Sequence, residues 1–527
     1  MEIKEKHFWY GIFLIAVLVP TLLNLKVATS TPIIFGDEGY YGSRGLWIAQ
    51  NLKIPKYTEN IYNENTKFHT FDLDIHYVIF TVASLFMIGW EITGEFLVKT
   101  LDPLLSMLTA LIIFLFAKRF YSYKIGILGA FLFLILPCVT TYSIFLYTDM
   151  FLTLFIISSL YFMMRGIKED NNKYIIISGI LAGFSILNKE VGFLIPIMYL
   201  FVAFLYKKEW LKRFSIIAIL IVIFAIPLYG IHNFLLLGNP GLPKLDSYFP
   251  SKWHSSDIEI VQKESLELAK RGTYAGILNY GILNYIQFSY GIGAFIFIVM
   301  GLSYMFYRKR RTDIIIFSWA MLLFFSIMYY TGNSKVESLS RWLLPAMPLF
   351  AISAGMLIEK TYEFIRGYGN AGKVFGILFI IIILLFGISS ASAKAASLEP
   401  IKRWSPAFIK GCDWIRRNTP EDSQIMSIWV HHAMYQCRRD THWVGMPNKD
   451  FIVIAANDTS YELIKEDGID YIYFQKFSIS FEKSAEAYPV EFVRYVENSD
   501  HFEKVYEYPD NCMYSGISDC VAVYKVK

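Results

Sequence analysis

Residues 8–25 form the run FWYGIFLIAVLVPTLLNL, which contains no charged side chain. A run of this length predicts a helix that crosses a bilayer, and it is long for the apolar core of a cleaved signal peptide. The rest of the chain agrees, because 55% of the 527 residues are hydrophobic and only 18% are charged. Soluble domains carry about 25% charged residues. The composition therefore predicts an integral membrane protein with an uncleaved first span.

The distribution of basic residues predicts the topology. Apolar runs recur to about residue 391 and are separated by short basic loops, which we place in the cytoplasm together with the N-terminus. This placement requires an odd number of crossings between residues 30 and 118. The apolar run at 77–90 is too short to span comfortably, so we predict a juxtamembrane or re-entrant helix along the outer interface. About eleven spans result, at 8–28, 95–117, 124–143, 149–166, 174–188, 190–206, 213–232, 286–307, 312–331, 341–362 and 373–391.

This topology places two loops and the C-terminal segment on the outer side of the cell membrane. The loops are 29–94 and 233–285, and the chain has the composition of a soluble domain from residue 398 onward. We therefore predict a membrane domain at 1–397 and an external domain at 398–527.

The segment 398–527 has the pattern of a small α/β domain. Helices are expected at 405–417, which is amphipathic, and at 459–466, where Gly468 supplies the C-terminal stop. Short β-branched and aromatic runs predict buried strands at 424–429, 471–474 and 521–526. Strands that alternate with helices are typical of an α/β fold.

Four of the five cysteines lie in this segment, at Cys412, Cys437, Cys512 and Cys520. Four cysteines in one polar, exported region indicate two disulfides. The alternative of four reduced thiols stays open at this point, and the sequence does not give the connectivity.

The sequence lacks the motifs of one class of partner and one class of cofactor. It contains no Lys/Arg-rich tail or basic patch interleaved with aromatics, so nucleic acid is not an expected partner. It also contains no P-loop and no dinucleotide-binding glycine pattern, so no nucleotide cofactor is expected.

The first external loop begins with two adjacent carboxylates, Asp37 and Glu38, soon after the first span. Partial desolvation at the edge of a bilayer makes a carboxylate a better proton acceptor, as a general base requires. The alternative is that the pair caps a helix expected at 40–52.

Six motifs follow one another along residues 8–391: Asp37-Glu38-x-x-Tyr41, His76-Tyr77, the span ending in Lys118-Arg119, Pro137 followed by Tyr147-Thr148-Asp149, the turn from Gly183 through Lys189 to Gly192, and Arg341-Trp342-Leu-Leu-Pro345. Their order resembles the GT-C membrane glycosyltransferases, in particular the branch of protein O-mannosyltransferases and lipid A aminoarabinose transferases. One motif departs from that branch, since His76-Tyr77 stands where the branch has His-Pro-Pro-Leu and lacks both prolines.

The resemblance implies a membrane glycosyltransferase that takes a sugar from a polyprenyl- or dolichyl-phosphate carrier. The acceptor is a protein, a glycan or a lipid, and the transfer inverts the anomeric configuration. By resemblance, Asp37 is the catalytic base and Glu38 its neighbour.

The remaining motif residues are assigned by the same resemblance to the donor. Lys189, Arg341 and His76 are the expected ligands of the donor phosphate. Asp149 either orients Lys189 or helps to hold a divalent cation with Asp37, so metal dependence stays open. The alternatives are that Lys189 snorkels to an interface and that Arg341 anchors a helix end.

Two other function classes remain as alternatives, a secondary transporter and a non-catalytic scaffold that binds a lipid carrier. Transporters tend to have inverted repeats and sites near the membrane midplane, whereas this sequence has no internal repeat. Asp37 argues against a scaffold.

In the C-terminal segment, His431, His432 and His442 lack the spacing of a metal site and are expected to lie on the surface or to recognise the acceptor.

Overall fold

The computed structural model describes most of the chain. The described residues are 2–30, 37–53, 77–206, 286, 290–330, 341–402, 405–442, 458–476, 479–480, 488–513 and 519–527. The predicted span at 213–232, the loop at 233–285 and His76 lie outside the described residues.

Long helices form the described chain up to residue 402. They are α1 (Glu2–Thr29), α2 (Asp37–Asn51), α3 (Tyr77–Phe120), α4 (Tyr123–Ile135), α5 (Pro137–Ile144), α6 (Thr148–Glu169), α7 (Asn172–Asn188), α8 (Leu194–Tyr206), α9 (Ile292–Arg308), α10 (Arg311–Tyr330), α11 (Met347–Arg366) and α12 (Gly369–Lys402). Short 3-10 helices at Glu190–Phe193 and Leu344–Ala346 precede α8 and α11. Every predicted span that falls in the described residues is mainly helical.

Several of these helices meet the requirements of a membrane span. Among the described residues, four segments are long and apolar enough: His7–Thr29, Thr93–Phe120, Thr148–Glu169 and Gly369–Leu398. The pair α4 and α5 is a fifth candidate if it is counted as one broken span. These segments confirm the predicted helical membrane protein, while the count of eleven spans stays a prediction.

The predicted span 124–143 is broken at a proline. Leu136 has the extended angles φ −58° and ψ 131°, and Pro137 then begins α5. Proline has no backbone N–H and its ring clashes with the preceding turn, so it begins a new helix more readily than it continues one. The two helices are bent by 62°.

The helix α3 contains a sharp reversal between two glycines. A Cβ atom added to Gly94 would lie 2.8 Å from the Cα atom of Phe86, and one added to Gly89 would lie 2.6 Å from the Gly94 nitrogen. Eight residues of straight helix span about 12 Å, so the chain folds back on itself between these glycines. The reversal lies at the boundary predicted between the run 77–90 and the span 95–117.

The chain folds into two compact units. Unit 1 is formed within Met1–Ser30, Lys99–Ile231 and Lys252–Glu399, and unit 2 within Thr31–Val98, His232–Ser251 and Pro400–Lys527. Unit 2 thus combines the first loop region with the C-terminal segment. The domain boundary between residues 397 and 398 stays a prediction.

Unit 2 contains an α/β sheet in its C-terminal segment. Its strands are β1 (Gln424–Met426), β2 (Asp440–His442), β3 (Tyr471–Gln475), β4 (Ile479–Ser480), β5 (Tyr488–Pro489), β6 (Phe502–Tyr508) and β7 (Val521–Val526). Five of them form one sheet in the order β2-β1-β3-β7-β6, and β4 pairs with β5. The strand β1 is parallel to β2 and β3, and β7 is antiparallel to β3 and β6. The helices are α13 (Pro406–Asn418), α14 (Val430–Cys437), α15 (Asp458–Glu466) and α16 (Val490–Asn498).

Helices cover both faces of this sheet. Side chains alternate between the faces of a strand, and β3 is buried throughout. Ile472 and Phe474 pack in the core cluster that includes residues of α15 and α16. Tyr471 and Tyr473 pack in the cluster that includes residues of α13 and α14. The alternation therefore builds the predicted α/β fold.

The predicted elements of this segment agree with the structure in most places. Ser405 caps α13, since its hydroxyl accepts the N–H of Phe408 at 2.9 Å. The predicted strand 521–526 matches β7, whereas only the first three residues of 424–429 are strand. Gly468 has φ +73° just after α15, as expected for a helix stop.

The structure confirms two disulfides. Cys412 pairs with Cys437, which joins α13 to the last residue of α14, and Cys512 pairs with Cys520. The alternative of four reduced thiols is therefore not the state described.

Candidate functional site

A charged cluster in unit 1 brings together Asp149, Lys189 and Arg341, and we call it the Asp149 cluster. The ammonium group of Lys189 donates to Asp149 Oδ1 at 2.6 Å, and Arg341 Nε donates to Asp149 Oδ2 at 2.6 Å. The Asp149 side chain is 1% exposed, while those of Lys189 and Arg341 are 18% and 20% exposed. Solvent therefore reaches the two cations but not the carboxylate. With two cations and one carboxylate, the three side chains carry a net charge of +1.

The end of α7 is tied to the start of α6, and this tie places Lys189 beside Asp149. Asn188 is the last residue of α7, and its Nδ2 donates to the carbonyl of Thr148 at 2.8 Å. A Cβ atom added to Gly192 would lie 2.5 Å from the nitrogen of Ile186. Only glycine fits so close an approach of backbone to backbone. Glycine at position 192 is thus a geometric requirement of the turn that carries Lys189.

Two aromatic rings lie against the cations of the Asp149 cluster. The guanidinium carbon of Arg341 is 4.3 Å from the ring centroid of Tyr147, and Lys189 Nζ is 5.5 Å from that of Trp342. Cation–π contacts of this length are favourable and become stronger where water is excluded. The rings hold the cations in place without neutralising them.

The chemistry of this arrangement suits an anion with several oxygens. Asp149 lies in the first turn of α6, where the helix dipole is positive. A guanidinium presents a planar fork of donors that matches phosphate, and lysine adds a compact charge. The Asp149 cluster therefore has the composition of a phosphate-binding site.

Asp37 and Glu38 lie in unit 2, in the first turn of α2, where the helix dipole favours their charge. Glu38 is buried, and Asp37 is partly exposed. The helix packs closely on α14, since a Cβ atom added to Gly39 would lie 2.5 Å from the carbonyl oxygen of His431. The ring of Tyr40 meets that of His431 edge to face at 5.1 Å.

His432 is an electrostatic neighbour of Asp37. The pKa of His432 is lowered to about 3, mainly by burial and in part by the neighbouring His431, while the carboxylate of Asp37 opposes the shift. The imidazole is therefore neutral near pH 7. The prediction of a surface position is wrong for His432 and for His442, which are 3% and 7% exposed. Both pack in the interior of unit 2.

The structure joins three of the six residues proposed from the sequence. Asp149, Lys189 and Arg341 meet in unit 1, Asp37 and Glu38 lie together in unit 2, and His76 is outside the described residues. Each oxygen of Asp149 accepts a hydrogen bond from a cation, which corresponds to the orienting role. Tyr147 and Trp342 are additional residues of the cluster that the motifs did not single out as functional, although each lies within two positions of a charged member.

Within the described residues, the one group of side chains with metal-ligand spacing is Glu507, Cys512 and Cys520. The two cysteines form a disulfide there, so their sulfurs are not thiolate ligands.

A family model and several solved structures match the chain. Residues 76–229 match the family described as dolichyl-phosphate-mannose-protein mannosyltransferase. The oligosaccharyltransferase AglB of Archaeoglobus fulgidus, solved with an inhibitory peptide and a dolichol-phosphate, is 14% identical with a TM-score of 0.64, over 89% of this chain and 69% of that one. ArnT of Cupriavidus metallidurans, solved with undecaprenyl phosphate, is 13% identical with a TM-score of 0.61, over 98% of this chain and 97% of that one. None of the curated protein sequences matches.

These matches confirm the resemblance to GT-C membrane glycosyltransferases that the motifs indicated. The chain has the fold of these enzymes along nearly its whole length. The family match begins at His76 and includes both Asp149 and Lys189.

Proposed function

We propose that the chain is a membrane glycosyltransferase that moves a sugar from a polyprenyl- or dolichyl-phosphate carrier to a protein, glycan or lipid acceptor. The observation that carries the proposal is the Asp149 cluster, where a buried carboxylate orients two partly exposed cations. The solved complexes of ArnT with undecaprenyl phosphate and of AglB with dolichol-phosphate support a lipid phosphate as the ligand.

The reaction exchanges one bond at the anomeric carbon of the sugar. The acceptor oxygen or nitrogen bonds to that carbon, and the bond from the carbon to the phosphate oxygen breaks. The electron pair leaves with the phosphate, whose negative charge increases. Lys189 and Arg341 stabilise that charge, and they act most strongly in the transition state because the leaving oxygen gains charge there.

The acceptor loses a proton during the attack, and Asp37 is the proposed base. Its carboxylate opens α2 and is partly exposed, so an acceptor group can reach it. The nearby imidazole of His432 is neutral near pH 7 and does not neutralise it. A general base of this kind contributes about 10²–10⁴-fold in rate. Inversion at the anomeric carbon follows from a single displacement of the phosphate.

We propose that the residues of the proposed mechanism face the outer side of the cell membrane. The loops 29–94 and 233–285 and the segment 398–527 lie on the same side in this proposal. The basic cytoplasmic loops of the predicted topology support this sidedness. The two disulfides support it too, since such bonds persist mainly in oxidising spaces.

The direct test is the identity of the lipid that the protein carries. Protein purified in a mild detergent is extracted, and the lipids are identified by mass spectrometry. A polyprenyl- or dolichyl-phosphate, with its sugar, should be enriched in the wild type and depleted in Lys189→Ala and Arg341→Ala. Folded wild-type protein that carries no such lipid and does not bind added undecaprenyl phosphate would contradict the proposal.

A further inference from the structure

Asp102 is a buried carboxylate of α3, within the span predicted at 95–117. The residue is only 2% exposed, and its Oδ2 accepts a hydrogen bond from the backbone N–H of Tyr147 at 2.6 Å. A carboxylate inside a membrane domain is costly and tends to serve a function. Its partner lies 45 residues away in sequence, so the bond fixes two distant elements of unit 1 to each other.

The bond is made where α6 begins. Tyr147 is the residue before the first turn of α6, its backbone is extended (φ −134°, ψ 153°), and its own side chain makes no capping hydrogen bond. Backbone N–H groups at a helix start lack partners within the helix. Asp102 supplies one from another helix, much as the glutamate of a capping box does within a single helix. The first turn of α6, with Asp149, is thereby held on α3.

The side chain of Tyr147 contacts the Asp149 cluster. Its ring centroid is 4.3 Å from the guanidinium carbon of Arg341, whose Nε donates to Asp149 at 2.6 Å. Arg341 is thus held by the ring on one side and by the carboxylate on another. A displacement of the Tyr147 backbone would move both contacts, because Tyr147 and Asp149 belong to one turn.

We propose that Asp102 is a positioning residue for the donor phosphate, acting through Tyr147 on Arg341. The inference rests on the proposed function, in which Arg341 binds that phosphate. Asp102 does not touch the donor. It fixes the backbone of Tyr147, and the Tyr147 ring then holds the guanidinium in the orientation that a phosphate requires.

The test uses Asp102→Leu, which removes the acceptor, and Asp102→Asn, which keeps an oxygen able to accept the N–H. Binding of undecaprenyl phosphate to the purified protein is measured beside binding of undecaprenol, which lacks the phosphate. Asp102→Leu should weaken binding of the phosphate by about 3-fold to 30-fold, the range expected for a lost cation–π contact. Binding of undecaprenol should not change, and Asp102→Asn should restore most of the affinity.

Tyr147 provides the matched pair of variants. Tyr147→Leu removes the ring and should reproduce the loss of Asp102→Leu, whereas Tyr147→Phe keeps the ring and should lose less affinity than Tyr147→Leu. The double variant should be no weaker than either single one, since both act through the same contact. If Asp102→Leu does not fold, Tyr147→Leu and Asp102→Asn still carry the test.

Three results would overturn the inference: unchanged phosphate binding by folded Asp102→Leu or Tyr147→Leu, equal weakening for undecaprenol, or losses that multiply in the double variant. Arg341→Ala separates this failure from failure of the proposed function. If Arg341→Ala weakens phosphate binding and Asp102→Leu does not, only the inference fails. If Arg341→Ala has no effect, the phosphate site itself is wrong.

Discussion

Arg341→Ala should weaken the binding of a lipid phosphate by about 10-fold to 100-fold. Hydrogen bonds to a charged group contribute about 1.5–3 kcal/mol, and each 1.4 kcal/mol is about tenfold in affinity. The Arg341 side chain is 20% exposed, so solvent screens its charge only in part. The substitution also lowers the net charge of the Asp149 cluster from +1 to 0, because Lys189 and Asp149 then cancel. Arg341→Lys keeps the charge but lacks the fork of donors, so its affinity for the lipid phosphate should lie between those of the wild type and Arg341→Ala.

Arg308→Ala is the matched control for this variant. Arg308 also pairs with a buried aspartate of unit 1, Asp313, with side-chain exposures of 14% and 0%. Arg308→Ala therefore removes a similar ion pair from another part of unit 1. The assay is equilibrium binding of undecaprenyl phosphate to purified protein, with thermal unfolding of each variant measured in parallel. Wild-type affinity in Arg341→Ala, or equal weakening in Arg308→Ala, would refute the reasoning.

Three further predictions concern topology, the disulfides and pH. Impermeant thiol reagents should label engineered cysteines from outside in 29–94, 233–285 and 398–527 but not in 118–124 or 308–312; the opposite pattern would reverse the proposed sidedness. Loss of the Cys412–Cys437 bond, which closes 25 residues, should cost about 3.5 kcal/mol of stability, and thermal unfolding of Cys412→Ser/Cys437→Ser checks this against the wild type. Unfolded His432 takes up a proton near pH 6.5, whereas the folded residue does so only near pH 3. Stability should therefore fall as the pH decreases between these values, and the slope should be smaller in His432→Phe, as measured by thermal unfolding at each pH.

Local sequence patterns predicted much of the fold because they act over short distances. The uncharged run at 8–25 lies within α1, and Gly468 follows the end of α15 at the expected place. The residues Asp149, Lys189 and Arg341 came from a family resemblance, and their meeting depends on long-range packing that no single motif contains. Their separate positions at helix ends were visible from the alternation of apolar runs and polar residues.

The features that the sequence did not predict depend on tertiary contacts. The helix α14 is short and owes its burial to α2 and to the disulfide at Cys437, so its own sequence carries little signal. Its burial also explains why His432 is not on the surface. The sequence analysis did not single out Asp102, whose partner is a backbone N–H 45 residues away. Because the partner is a backbone group, the type of side chain at Tyr147 does not indicate this contact.

The most direct test of the central claim is sugar transfer by Asp37→Asn. Asparagine keeps the volume and some hydrogen bonding of the aspartate but does not accept the acceptor's proton. Transfer of a radiolabelled sugar from its lipid phosphate carrier should fall by about 10²–10⁴-fold. Binding of the lipid phosphate, measured separately, should stay near the wild-type value. Near-normal transfer by folded Asp37→Asn would contradict the account of a glycosyltransferase with Asp37 as its base.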